Sequence, residues 1–217
     1  MADKKEVKVF LLPEGRLINS SLFEKDAYTP ERGQPGKPMY KIEVAFDPKD
    51  VAGAGTFEDD LITAACVEWG DAAEEKFLNG GIHSPLLNGD DMAAKRAEKG
   101  KQGDPYKGKL VLRANTQFNL HGQDAPGGIQ VWDEKVKPIT VANQQAIYPG
   151  CYVQIAVTLQ CYSMEEKFVT CYLAAVQKTR DGDPLVATRD TSVLFKPKVT
   201  AAAGDAGATA SIRRLRG

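Results

Sequence analysis

The sequence predicts a small, mainly β barrel with one inserted helix. Period-two alternation of apolar and polar residues recurs in five segments, as expected for strands buried on one face. One segment, at about 56–79, instead has helical spacing behind a capping residue. Glycine and proline turns separate the strands, and the resulting short antiparallel units fold most simply as a barrel.

Taken in order, residues 5–12 set Val7, Val9 and Leu11 against Lys8, Phe10 and Leu12, which predicts a first strand. The stretch TPERGQPGKP (29–38) holds three Pro and two Gly and reads as a loop, because proline cannot donate to a strand ladder. MYKIEVAF follows, with Tyr40, Ile42, Val44 and Phe46 on one face and Lys41, Glu43 and Ala45 on the other; Asp47-Pro48 closes it. Thr56 is the expected N-cap of the helix, with Asp59 three residues on. Phe57, Leu61, Ala65, Trp69, Ala72 and Phe77 form its apolar stripe, and Trp69 reads as core. Glu58, Asp59 and Asp60 suit the dipole of its first turn, and Asn79-Gly80-Gly81 stops it.

Residues 83–108 are polar and glycine-rich, which predicts a long surface loop with a short helix over 90–99. KLVLR (109–113) is a short strand with Leu110 and Leu112 inward, and a Gly/Pro turn at 122–128 leads to another at Ile129–Trp132. CYVQIAVTLQCY carries the strongest alternation: Val153, Ile155, Val157 and Leu159 on one face, Tyr152, Gln154, Thr158, Gln160 and Tyr162 on the other. After a turn at 163–167, FVTCYLAAVQK returns as the second strand of a hairpin that ends at RDGDP (180–184). TAAAGDAGATASIRRLRG (200–217) is low-complexity and predicts a disordered tail, leaving 1–199 as the folded domain.

The 217 residues are 42% hydrophobic and 26% charged, with 28 Lys+Arg against 29 Asp+Glu. No apolar run approaches the ~20 residues of a membrane span, and the N-terminus lacks a secretory h-region, so a cytoplasmic location is expected. The near-neutral balance hides an asymmetry: residues 51–100 hold 4 basic and 10 acidic residues, and 101–217 hold 15 basic and 10 acidic. A polyanionic partner is therefore compatible with the net charge of -1. Cys66, Cys151, Cys161 and Cys171 form no C-x-x-C pair and read as free thiols, not zinc ligands.

Catalytic constellations are thin. His83 and His121 lie in glycine-rich loops with no nucleophile motif, and no phosphate-cradling G-x-x-x-x-G-K-[ST] or G-x-G-x-x-G occurs. Asp181-Gly182-Asp183 lacks the later ligands of a calcium loop, and Lys178 sits one residue too far from Asp181-Gly182 for a ligase nucleophile. The expectation is a protein with no catalytic residues, no metal and no cofactor. What remains is a strand face with Tyr152 and Tyr162, and Trp132 as a third aromatic, among cations on or beside strands: Lys41, Lys109, Arg113, Lys135, Lys137, Lys178 and Arg180, of which Lys41, Lys109, Arg113, Lys178 and Arg180 are the expected phosphate contacts. Aromatics stack on bases of any sequence while Lys and Arg meet phosphates, the pattern for single-stranded nucleic acid. Cross-strand packing of Tyr152 and Tyr162 on Phe168 and Tyr172 explains the same pattern equally well.

The stretch AIYPGCYVQIAVTLQCYSMEEKFVTCYLAAVQKTRDGDPL resembles phage-encoded single-stranded-DNA-binding proteins of the DUF2815 type. The shared features are Tyr148-Pro149-Gly150-Cys151-Tyr152, then Cys161-Tyr162, then the run from Val176 to Leu185; upstream, PMYKIEVAFDPKD matches a strand that precedes a helix. The resemblance spans roughly 7–195. It implies an OB-fold-like five-stranded antiparallel β-barrel similar to the T7-type phage proteins. The implied role is sequence-independent coating and protection of single-stranded DNA in phage replication or recombination, inside the infected host and beside phage or host replication proteins. The alternative is a non-enzymatic phage structural or protein-interaction module. Two features depart from the family: SMEEK (163–167) lacks the usual turn glycine, and the end IRRLRG is basic where many relatives carry an acidic, partner-recruiting tail.

Overall fold

A computed structural model of the chain describes residues 8–27, 34, 36–101, 103–117 and 129–185. The strands are β1 (Phe10–Leu11), β2 (Gly15–Asp26), β3 (Met39–Phe46), β4 (Leu86–Asn88), β5 (Leu110–Thr116), β6 (Gln130–Trp132), β7 (Pro138–Ile139), β8 (Tyr152–Ser163) and β9 (Lys167–Arg180). The helices are α1 (Pro48–Val51), α2 (Phe57–Trp69), α3 (Ala72–Leu78) and α4 (Gly89–Glu98).

β2 pairs with β3 and β8, β3 with β5, β5 with β9, and β9 with β8. The five longest strands therefore close into a ring with the Greek-key order of an OB-fold, the barrel that the sequence predicts. One seam departs from the antiparallel expectation: β5 and β9 run parallel through Ala114↔Cys171 and Asn115↔Tyr172. An odd number of strands cannot alternate direction all the way round a ring, so closure forces a parallel pair. β6 extends the β9 edge, also in parallel, and β1 extends β8.

The period-two reading holds in the long strands. Tyr40, Ile42, Val44 and Phe46 of β3, and Val153, Ile155 and Val157 of β8, are buried in one core with Leu112, Ala114, Val169, Cys171 and Leu173. At ~1.5–3 kcal/mol for each large apolar side chain, this interior drives closure. β2 shows no period in the sequence because Asn19, Ser20 and Ser21 interrupt its pattern and its pairing with β3 shifts register twice. The first strand expected at 5–12 is only Phe10–Leu11 among the described residues.

The single helix expected at 56–79 is two. Gly70, at φ 82, takes a conformation that ends α2 before α3 begins. Thr56 precedes α2 but does not cap it with its side chain; its hydroxyl donates to the Val51 and Gly53 carbonyls instead. Phe57, Leu61 and Ala65 of α2 and Phe77 of α3 join the barrel core. Residues 83–108, expected as a loop with a short helix, do contain that helix as α4, but also β4 and a core of their own. Met92 and Ala93 of α4 pack with Tyr106, Val111, Ala45 and Ile18 on the outside of the barrel. Two or three apolar residues in a charged segment carry too weak a period to announce that packing.

Gly150 sets the turn into β8. Its φ is 112, and a Cβ there would lie 2.2 Å from the Asp183 carbonyl oxygen. The four cysteines are free, with Cys151 and Cys171 buried, and burial pushes the Cys171 thiol well above its ordinary value. Among the described residues no three His, Cys, Asp or Glu side chains gather as a metal site, and no helix is long and apolar enough to cross a membrane. The described residues fall within one compact unit, 1–187. The turn at 122–128, His121 and the tail at 200–217 lie outside the described residues.

Candidate nucleic-acid interface

Strand register decides which outward side chains meet. β2, β3, β5 and β9 align Ser21↔Lys41, Lys41↔Asn115 and Asn115↔Tyr172, so these four residues form one row across the outside of the barrel. β9 then carries the row to β8, where Tyr172 faces Thr158. A parallel row holds Asn19, Glu43 and Arg113. A groove of about 160 Å³ follows both rows, lined in part by Ser21, Lys41, Glu43, Arg113 and Asn115.

The row ends on aromatics. Tyr162 and Phe168 are cross-strand partners with rings stacked at 5.3 Å and 24°. The Tyr162 and Tyr172 hydroxyls share a hydrogen bond of 2.6 Å. Burial first, then that bond, pushes the Tyr172 phenol up to about 12, so the Tyr172 hydroxyl stays neutral at physiological pH. Near the β8–β9 turn, Trp69 of α2 donates its Nε1 proton to Ser163 Oγ at 2.8 Å, and Lys167 Nζ lies 5.2 Å from the indole centroid. Trp69 is half-buried against the core but reaches the surface at this turn.

The cations of this face are paired. Lys41 Nζ meets Asp26 at 3.1 Å, Arg113 Nε meets Glu43 at 2.6 Å, and Lys109 Nζ meets Asp47. The lysine hydrogen bond holds the Asp47 carboxyl below the usual range. Glu43 also accepts the Tyr106 hydroxyl at 2.8 Å, and burial with that bond pushes the Tyr106 phenol up to about 12. The Lys41–Asp26 and Lys109–Asp47 pairs are exposed and contribute only ~0–1 kcal/mol each, so a phosphate can take over their cations at little cost; at Glu43, which is largely buried, it is the exposed Arg113 guanidinium that a phosphate can reach.

The other sequence candidates stand elsewhere. Tyr152 and Tyr162 share the outer face of β8, but ten residues of strand separate them by roughly 33 Å. The Tyr152 ring is covered by the Arg180 guanidinium, 3.3 Å from its centroid, and Gly182 lies against its edge. Arg180 is itself bound to Glu14 at 2.9 Å. Glu14 is held low first by the Thr179 hydroxyl, then by Arg180. Lys178 points inward beside Val153, is 9% exposed, and is committed to Asp181 at 2.6 Å. The expected phosphate contact at Lys178 is thus not available to solvent: the bulge at Ala174 shifts the phase of β9, so that Val176 and Lys178 follow Leu173 on the inward face. Tyr148 completes the cluster by donating to Asp181 at 2.9 Å. Trp132 shares an outer row with Gln177 and Gln154, at the Tyr152 end of the hairpin.

The register thus gathers Lys41, Arg113 and Tyr162 on one face, with Lys109 at the start of β5. It separates them from Tyr152, Trp132, Lys178 and Arg180. It adds Tyr172 and Phe168, which the sequence pattern presents as packing partners, and Asn115, which no sequence motif marks. The alternation of Phe168, Thr170 and Tyr172 opposite Tyr162, Gln160 and Thr158 was the available signal.

The chain is similar to known phage proteins along most of its length. The family model described as Enterobacter phage Enc34, ssDNA-binding protein, matches residues 15–206. Protein p50 of Acyrthosiphon pisum secondary endosymbiont phage 1 is 28% identical over 157 residues, covering 64% of this chain and 77% of that protein. The single-stranded DNA-binding protein of bacteriophage Enc34, solved in complex with ssDNA, superposes with a TM-score of 0.58 at 16% identity, covering 85% of this chain and all of that one. Gp2.5, a single-stranded DNA-binding protein encoded by bacteriophage T7, gives 0.53 at 14% identity over 91% of this chain and 100% of its own. At such identities the structural likeness establishes the shared barrel fold.

Proposed function

We propose that this chain, which belongs to the Enterobacter phage Enc34 ssDNA-binding protein family, binds single-stranded DNA without reading its sequence. It coats and protects exposed strands during phage DNA replication or recombination in the cytoplasm of the infected host. It acts without catalysis. The observation that carries this reading is the unbroken row Ser21–Lys41–Asn115–Tyr172, which joins a cation-bearing strand face to the Tyr162–Phe168–Tyr172 aromatics. The same outer face of the second and third barrel strands, with its flanking loops, is where OB-folds receive oligonucleotides.

Bases stack on Tyr162 and Tyr172, at about 1–3 kcal/mol per base. Phosphates replace Asp26, Glu43 and Asp47 as partners of Lys41, Arg113 and Lys109. None of these side chains discriminates one base from another, because stacking and backbone contacts tolerate every sequence. Tyr152, Arg180 and Lys178 close the far end of the barrel, and Trp132 flanks them.

Titration with poly(dT), followed by quenching of tyrosine and tryptophan fluorescence, tests the reading. Binding should be tight at low salt, should weaken steeply as salt rises, and should be matched by mixed-sequence single strands. No quenching and no binding at low salt would instead favour a protein-interaction module.

A further inference from the structure

A second groove, of about 400 Å³, runs beside α4 and reaches β5. Lys95, Arg96, Lys99, Lys101 and Arg113 line it, with Asp91 as its one carboxylate. Arg113 lines the barrel-face groove as well, so the two meet at that guanidinium.

The helix that carries these cations is firmly held. The Asn88 side chain caps it by accepting from the backbone N–H groups of Asp90 at 2.8 Å and Asp91 at 3.4 Å. Met92 and Ala93 anchor it in the outer core. The Arg96 guanidinium rests 5.0 Å from the Tyr106 ring centroid. Lys95 and Lys99 stand one turn apart and exposed, about 6 Å along the axis.

The charge on this edge differs from that on the barrel face. There Lys41, Lys109 and Arg113 each have a carboxylate. Among the described residues, Lys95, Lys99 and Lys101 have no ion-pair partner. Like charges gathered on a rigid edge repel one another and raise the local potential, which costs stability and attracts a polyanion.

We propose that a single strand leaving the barrel face at Arg113 continues along this groove, its phosphates held by Lys95, Lys99 and Lys101. The protein then has a two-part DNA track: an aromatic barrel face that takes bases and an α4 edge that takes backbone alone. This rests on the single-strand-binding reading above.

The test compares the full chain with its K95A/K99A/K101A variant on two oligo(dT) lengths. One is about 6 nucleotides, enough for the barrel face, and the other about 30, within and beyond the range of OB-fold site sizes. On the long strand the variant should bind at least tenfold more weakly at low salt, and its log–log salt slope should drop by about 2, from three phosphates at ~0.7 each. On the short strand it should match the wild type within about twofold, with a melting temperature no lower than the wild type's, because the three lysines are exposed and their removal relieves mutual repulsion. Unchanged long-strand affinity and slope would overturn the α4 track while leaving single-strand binding intact, as would an equal loss on both lengths. A wild type that binds neither oligonucleotide would overturn the parent reading and this one with it.

Discussion

Glu43 stands where a DNA phosphate is proposed to sit, so neutralising it should strengthen binding. One Glu43 carboxylate oxygen holds Arg113 Nε at 2.6 Å and the other accepts the Tyr106 hydroxyl at 2.8 Å. A phosphate that docks on the exposed guanidinium comes within about 6 Å of that carboxylate. The repulsion at this distance is ~0.7 kcal/mol in bulk water and ~3 kcal/mol at an effective dielectric of 20. Glu43→Gln removes it and keeps an oxygen to accept from Tyr106. Taking ~1–2 kcal/mol as the net gain, affinity for poly(dT) should rise roughly five- to thirtyfold. Because Arg113 is then an uncompensated cation, the salt slope should steepen by about 0.7. Loss of the ion pair costs stability by only ~0–1 kcal/mol, since the Arg113 guanidinium left behind is 57% exposed and the substitution removes a charge at Glu43, which is only 14% exposed. Fluorescence titration across a salt series, with a melting curve for each protein, reads all three quantities. Weaker or unchanged binding by a variant that melts normally would refute the reasoning: either Glu43 aims Arg113 at the DNA, or this face does not carry it.

Two further outcomes follow from the ends of the barrel. Tyr152→Ala should lower the melting temperature by several degrees through loss of ~1–3 kcal/mol of Arg180 stacking and burial while sparing DNA affinity, whereas Tyr162→Ala should weaken poly(dT) binding by about 1–3 kcal/mol; the reverse assignment would place the DNA at the far end. Asp181 is pulled below the usual carboxylate range first by Lys178 and then by Tyr148, so its contribution is present above its unfolded value of about 3.9 and is lost as pH falls through its lower folded value. Asp181→Asn should therefore melt lower than wild type at about pH 7, and the gap should shrink toward about pH 2; calorimetry that finds the gap constant across this range would rule the Lys178–Asp181 lock out as a source of acid sensitivity.

The legible parts of the fold are those in which one strand buries one face. β3 and β8 alternate cleanly because their inner residues fill the barrel while their outer ones meet solvent, and β9 does so on either side of its bulge at Ala174. β2 is as long as β8 but bulged and interrupted by Asn19, Ser20 and Ser21, so its twelve residues carry no clean period. α4 hides for a related reason: it buries only Gly89, Met92 and Ala93, too few positions for a stripe, and its place depends on Tyr106 and Val111 arriving from later in the chain.

The candidate site was half legible for a different physical reason. Residue type identified Lys41, Arg113 and Tyr162 as chemistry suited to a single strand, since each needs only to be exposed beside a strand to serve. What sequence could not supply was their company. Asn115 meets Tyr172 across 57 positions of chain only because five strands close a ring and the odd strand forces a parallel seam at that point. That seam brings the cationic face of β3 and β5 against the aromatic face of β8 and β9. An antiparallel pairing of β5 with β9 would reverse that register and could not close the same ring. Tyr152 shows the converse: on the same strand face as Tyr162, and of the same residue type, it lies at the opposite end, where Arg180 and Gly182 already occupy its ring. Alternation fixes which side of the sheet a tyrosine faces; the barrel's closure fixes which neighbours wait for it there, and those neighbours separate a stacking platform from a packed lid.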